Sequence, residues 1–168
     1  MVLQVKVISV FAGLGKTYVG NKYANVCDLQ SSPYRYDYTN ISEADYEKMK
    51  YDSNMSIHPK WPQNYIQALK DAMIKYDLIL VPSNEDIRGI LQENHIEFLF
   101  VLPSVDSRKI LEERYRNRGN NAILIDSVLS YFDSWSRDQK DYSYPICILE
   151  KDKYLEDLLK ELKLLKEE

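Results

Sequence analysis

The sequence predicts an α/β fold in which a parallel sheet is covered by helices on both faces. Short apolar runs, at residues 7–11 with only Ser9 polar, 78–81 and 98–102, have the length and composition of strands buried on both sides. Stretches with apolar residues at helical spacing lie between them, and Gly, Pro and Ser mark the joints. A helical crossover returns the chain to start its next strand in the same direction, so this alternation implies parallel pairing.

Each element follows in order. Residues 2–11 alternate and then run apolar through Val5, Val7, Ile8, Val10 and Phe11; Gly13 and Gly15 break the run, and a helix opens at about Lys16. Residues 25–29 predict a short second strand, ended by turn chemistry at Ser31, Ser32 and Pro33. Residues 34–62 are polar, tyrosine-rich and weakly periodic, and read as an inserted excursion, with a helix starting at Ser42 whose Asp45 completes a capping-box-like pair. Ile66, Leu69, Met73 and Tyr76 recur at helical spacing and feed the strand at 78–81. Ser83 or Asn84 can cap a helix carrying Ile87, Ile90 and Leu91, and 98–102 forms the next strand before Pro103. A basic helix near 106–117 is closed by Gly119; 122–135 predicts another helix, 145–149 a last strand, and Leu155, Leu158, Leu159, Leu162 and Leu165 a C-terminal helix with its leucines facing the core.

At 168 residues and 45% hydrophobic content the chain fits one domain with a full core. Its net charge of -4 argues against stable nucleic-acid binding or attachment to an acidic membrane, both of which need a basic surface. Cys27 and Cys147 each lie in apolar stretches and read as buried, reduced thiols. The first ten residues lack the pattern of a signal peptide and no window reaches the length of a membrane span, so a cytoplasmic location is expected. His58 and His95 have no partner at metal-ligand spacing, and nothing suggests a Ser-His-Asp or Cys-His nucleophile.

The stretch V-F-A-G-L-G-K-T, residues 10–17, follows a strand, opens a helix and ends in Gly-Lys-Thr; it resembles the Walker A motif of P-loop proteins. In that motif glycines let the backbone approach phosphate oxygens and loop amides point inward. Gly13, Leu14, Gly15, Lys16, Thr17 and Tyr18 are therefore expected to hold a nucleotide, with Lys16 on the outer phosphates and the Thr17 hydroxyl on Mg2+. Val10 stands where the motif has its first glycine, which leaves the entry turn open to be tighter.

Three further segments, W-P-Q-N-Y-I (61–66), L-I-L-V-P-S-N-E-D-I-R (78–88) and R-K-I-L-E-E-R-Y-R-N-R-G (108–119), resemble a group of P-loop kinase-like proteins often encoded by bacteriophages. The resemblance implies a three-layer P-loop NTPase fold on a five-stranded parallel sheet of the adenylate-kinase type. It further implies ATP as phosphoryl donor, an acceptor site in the excursion at 34–62, a mobile basic lid at about 104–120, and the host cytoplasm if the chain is phage-encoded. Arg114 and Arg118, four apart on one helical face, suit charge neutralisation in phosphoryl transfer, because guanidinium binds phosphate through a planar fork. The bland alternative is a solvated helix with local pairs to Glu112 and Glu113. Asp28, at the end of the second strand, is either a base that orients the acceptor or a cap for the following turn. Arg88 resembles an arginine that binds acceptor phosphate in monophosphate kinases. Tyr34, Tyr36, Tyr38, Tyr46 and Tyr51 can stack on a base, or simply pack the excursion. The strand at 78–82 ends without a carboxylate, which favours a small kinase over a motor-type ATPase. The expected activity is ATP- and magnesium-dependent phosphoryl transfer to a nucleoside, nucleotide or similar small acceptor. The alternatives are a nucleotide-binding module without transfer and an ATPase coupled to a partner. Oligomeric state is not legible.

Overall fold

The structure is a computed structural model that describes residues 5–39, 41–45, 55–138 and 142–166. Strands β1 (Val7–Val10), β2 (Val26–Asp28), β3 (Leu78–Pro82), β4 (Phe98–Pro103) and β5 (Ile146–Leu149) form one sheet in the order β2-β3-β1-β4-β5. Every pairing is parallel; in the centre Ile8 lies opposite Leu80 on one side and Leu99 on the other. The α/β class and parallel sheet expected from the sequence are present. Nearly continuous apolar runs give β1, β3 and β4 because both faces of these strands are covered; the polar exception, Ser9 in β1, is fully buried and donates to the Pro82 carbonyl at 2.8 Å.

The helices are α1 (Lys16–Lys22), α2 (Ser32–Arg35), α3 (Gln63–Lys75), α4 (Glu85–Glu93), α5 (Arg108–Asn117), α6 (Ala122–Asp138) and α7 (Leu155–Glu161). The step from β1 to β2 runs toward one edge, whereas the later steps run the other way. Right-handed crossovers then put α1 on one face and α3 to α6 on the other. Helix α7 returns to α1, where Glu156 accepts from Tyr23 Oη at 3.1 Å and pairs with Lys22 at 2.9 Å. The Lys22 ammonium, ahead of the other contributions, holds the Glu156 carboxyl below its usual range. Because the chain leaves β1 and β4 toward opposite edges, the carboxyl ends of these strands frame a crevice where the loops part. Residues 11–15 lie at its mouth.

Three local features differ from the expected pattern. The turn at 31–33 is the short helix α2, since Pro33 sits in its first turn, where the missing N–H costs nothing. The basic helix begins with a 3-10 turn, Val105–Ser107. The C-terminal leucine stripe is buried at Leu155, Leu158 and Leu159, but the helix stops at Glu161. There Lys163 turns left-handed (φ 56°), and its N–H and that of Leu164 bond back to Lys160 and Leu159, a Schellman closure. Leu162, Leu164 and Leu165 pack half-buried beyond it. Ser42 Oγ accepts from the Asp45 N–H at 3.2 Å, as a helix start requires. The rest of that expected helix, with Tyr46 and Tyr51, lies outside the described residues. Cys27 and Cys147 are free and half-buried, and burial raises both thiol pKa values. Among the described residues no helix is long and apolar enough to cross a membrane.

Candidate functional site

Strand β1 ends at Val10, which is buried between Pro82 and Val101, so the residue standing in place of a glycine is a strand residue. The loop therefore has to reverse within residues 11–15. Gly13 (φ 89°) and Gly15 (φ 99°) supply the two left-handed turns that make this possible. The direction of the loop's polar groups follows from what grips it. The Ala12 carbonyl accepts from Tyr115 Oη at 2.6 Å, and that of Gly13 from Arg114 Nη1 at 3.0 Å. The Leu14 carbonyl accepts from the Leu155 N–H at 2.8 Å, and Gly15 from the Val19 N–H at 3.1 Å. All four carbonyls are thus engaged, by α5, α7 and α1. Among the described residues, none of the backbone N–H groups from Ala12 to Tyr18 donates a hydrogen bond. Consecutive unengaged amides around left-handed glycines make an anion-binding concavity. Burial pushes the Tyr115 phenol well above its ordinary pKa, so it remains a donor to the loop at any physiological pH.

Lys16 projects from the first position of α1 to Asp28 at the end of β2, with Nζ 3.2 Å from Oδ1 and both side chains largely buried. The two are close but not aligned as a hydrogen bond, so Asp28 Oδ1 is charge-paired and can still accept one. Gly20 makes this approach possible: a Cβ there would stand 2.7 Å from the Asp28 Cβ. Gly20→Ala is accordingly expected to destabilise the protein by about 1–3 kcal/mol, despite the better helix propensity of alanine. Thermal melting checks this, and an unchanged or higher Tm would contradict it.

Two cavities flank the loop, and Gly13 and Arg118 line both. The first, about 550 Å³, is walled by Tyr18, Tyr154, Arg114 and Asn117. The Arg114 guanidinium lies over the Tyr154 ring at 4.2 Å. The second, about 470 Å³, runs from Lys16 and Thr17 to Ser32, to Arg35 and Tyr36 of the excursion, and to Asn84. No protein-family model matches the chain, and no curated protein matches it.

The structure thus brings Gly13, Gly15, Lys16, Thr17, Tyr18, Arg114 and Arg118 together around one loop. Leu14 contributes its backbone, while its side chain is buried in the core. Asp28 touches Lys16 but does not line the second cavity. Arg88 is elsewhere: it is 4% exposed and enclosed by tyrosines beyond β4. Helix α5 lies against the loop and is tied to α6 by a two-pronged Arg108–Asp133 pair at 2.8 and 3.1 Å. The two described tyrosines that pair within the excursion, Tyr36 and Tyr38, meet edge to face, and Tyr34 packs on Tyr65. Among the described residues no cluster of His, Cys, Asp or Glu could hold a metal by itself. The site residue missing from the sequence expectations is Arg35. It pairs with Asp86 at 2.6 Å and lies over Trp61 at 4.7 Å, and its buried Nη2 has no hydrogen-bond partner. Its signal was an arginine just after Pro33, the one cation in residues 30–40.

Proposed function

We propose that this chain is a P-loop kinase that takes the phosphates of ATP, with magnesium, into the loop at residues 11–17 and passes one phosphoryl group to a small acceptor. The observation that carries the reading is the row of unengaged amides from Ala12 to Tyr18, beside an ammonium group held ready by Asp28. A polyphosphate needs many fixed donors at short range and a cation at its outer end, and this loop offers both. Thr17, exposed on the cavity wall, is the hard oxygen donor that suits magnesium. When bound, the ion would neutralise phosphate charge.

The division of labour follows from the two cavities. Tyr18, Tyr154 and the Arg114 guanidinium form flat walls, so the nucleoside of the donor fits the 550 Å³ cavity. The acceptor then takes the 470 Å³ cavity, beyond Lys16 and Thr17. Arg118 borders both and can follow the transferring charge between them, the work phosphoryl transfer asks of a cation. Asp28 keeps Lys16 in place and releases it to the phosphates. Arg35, which lines this cavity and keeps one terminal nitrogen without a hydrogen-bond partner, favours an acceptor that carries an oxyanion, a nucleoside monophosphate rather than a nucleoside.

Incubation with labelled ATP, magnesium and separate nucleosides and monophosphates is expected to move label to a monophosphate. Arg35→Met should raise the acceptor KM by about tenfold or more while leaving ATP affinity unchanged. Binding of ATP with no transfer to any acceptor would leave a nucleotide-binding module, and phosphate release without acceptor would leave an ATPase.

A further inference from the structure

Arg88 occupies a cavity that the kinase reading leaves unused. Its guanidinium lies 4.3 Å from the Phe100 ring centre, 5.4 Å from Tyr142 and 5.9 Å from Tyr144. It donates from Nε to the Ser83 carbonyl at 3.0 Å and from its two terminal nitrogens to the hydroxyls of Tyr144 and Tyr131. These three acceptors are neutral, and no carboxylate of the described residues pairs with the group. Burying a cation on neutral acceptors is costly, so the positive charge here is only partly compensated.

We infer that this cavity, about 300 Å³ and bordered by Arg88, Tyr131, Trp135, Tyr142, Tyr144 and Glu85, is a second binding site, for a flat ring bearing one oxyanion, a carboxylate or a phosphate monoester. The anion specificity comes from the tyrosines. A phenol that accepts from guanidinium keeps its own O–H to donate, the hydroxyl rotates to suit, and the cation behind it strengthens that bond. Tyr131 and Tyr144 both line the cavity, so two such donors converge there. Burial raises the Tyr131 phenol above its ordinary pKa and keeps it protonated. Trp135 and Tyr142 supply flat apolar walls. Glu85, exposed at the rim, sets an upper limit on charge: a polyphosphate would meet its carboxylate, whereas a single oxyanion can reach the tyrosines and leave the rim to water. The site does not depend on the kinase reading.

Trp135 reports directly on this cavity, and with Trp61→Phe it is the chain's only tryptophan. In that background, titration with benzoate, phenyl phosphate and neutral benzamide is expected to give a saturable change in emission with at least one anion, and binding about tenfold weaker or worse for benzamide. Whichever anion binds tells carboxylate from phosphate. Tyr131→Phe with Tyr144→Phe should weaken anion binding by at least the same factor, and Glu85→Gln, an exposed change, should tighten it. Lys16→Ala and saturating ATP should leave it unaltered. No saturable response to either anion, an equal response to benzamide, unweakened binding in a folded double phenylalanine variant, no tightening by Glu85→Gln, or displacement by ATP would each overturn the assignment.

Discussion

Lys16→Ala is expected to lower kcat/KM for phosphoryl transfer on the order of 10²–10³-fold, the usual cost of losing one fixed donor to developing charge. The same change should also reduce stability, because Asp28 keeps only 11% of its side chain exposed and would lose its only ion-pair partner among the described residues. Leaving a mostly buried charged oxygen uncompensated costs about 1–3 kcal/mol. The two effects separate in the double variant Lys16→Ala/Asp28→Asn. Its neutral amide needs no counter-charge, so the melting temperature should recover while the rate stays low. Steady-state kinetics and calorimetric melting on the three proteins decide the matter. Recovery of activity together with stability would mean that Lys16 serves only to neutralise Asp28.

Gly13→Ala should be nearly as damaging for a different reason. Gly13 has a φ of 89°, and a Cβ there would stand 2.7 Å from Tyr115 Cε1, a distance that forces the ring away. Movement of the ring breaks the Tyr115–Ala12 bond that turns the loop carbonyl outward. Left-handed strain in a non-glycine residue and one lost hydrogen bond together come to about 2–4 kcal/mol. Nucleotide binding should fall with stability, since the amides keep their inward direction only while the carbonyls are held. Gly89→Ala is the control: nothing lies within 4 Å of its Cβ in the middle of α4, and helix propensity predicts a gain of about 0.4–1 kcal/mol. Equal behaviour of the two alanine variants in melting and in nucleotide titration would remove Gly13 from its role.

The central strands were legible because burial on both faces writes itself as an apolar run, broken in β1 only by Ser9, and the loop because two glycines end one. Residues that meet only through tertiary structure were not. Asp28 faces Lys16 because Gly20 lets α1 close on β2, a contact with no local signal. Arg88 stands one turn into α4, as its spacing predicts, but its side chain turns inward to hydroxyls 43 and 56 residues further along. Arg114 and Arg118, four apart, do line the same cavity, yet only Arg118 also reaches the other one, since Arg114 is spent on the Gly13 carbonyl and the Tyr154 ring. The C-terminal helix ends early because Lys163 takes a left-handed conformation that glycine or asparagine would have announced.

The most direct test is titration of the isotope-labelled protein with magnesium and a non-hydrolysable ATP analogue while the backbone amide signals are followed by NMR. The amides of Gly13, Leu14, Gly15, Lys16 and Thr17 should show the largest shifts in the molecule and should move together along a single saturable curve. If those five signals stay in place while nucleotide binds elsewhere, or if no nucleoside triphosphate moves any signal, the loop is not a phosphate cradle.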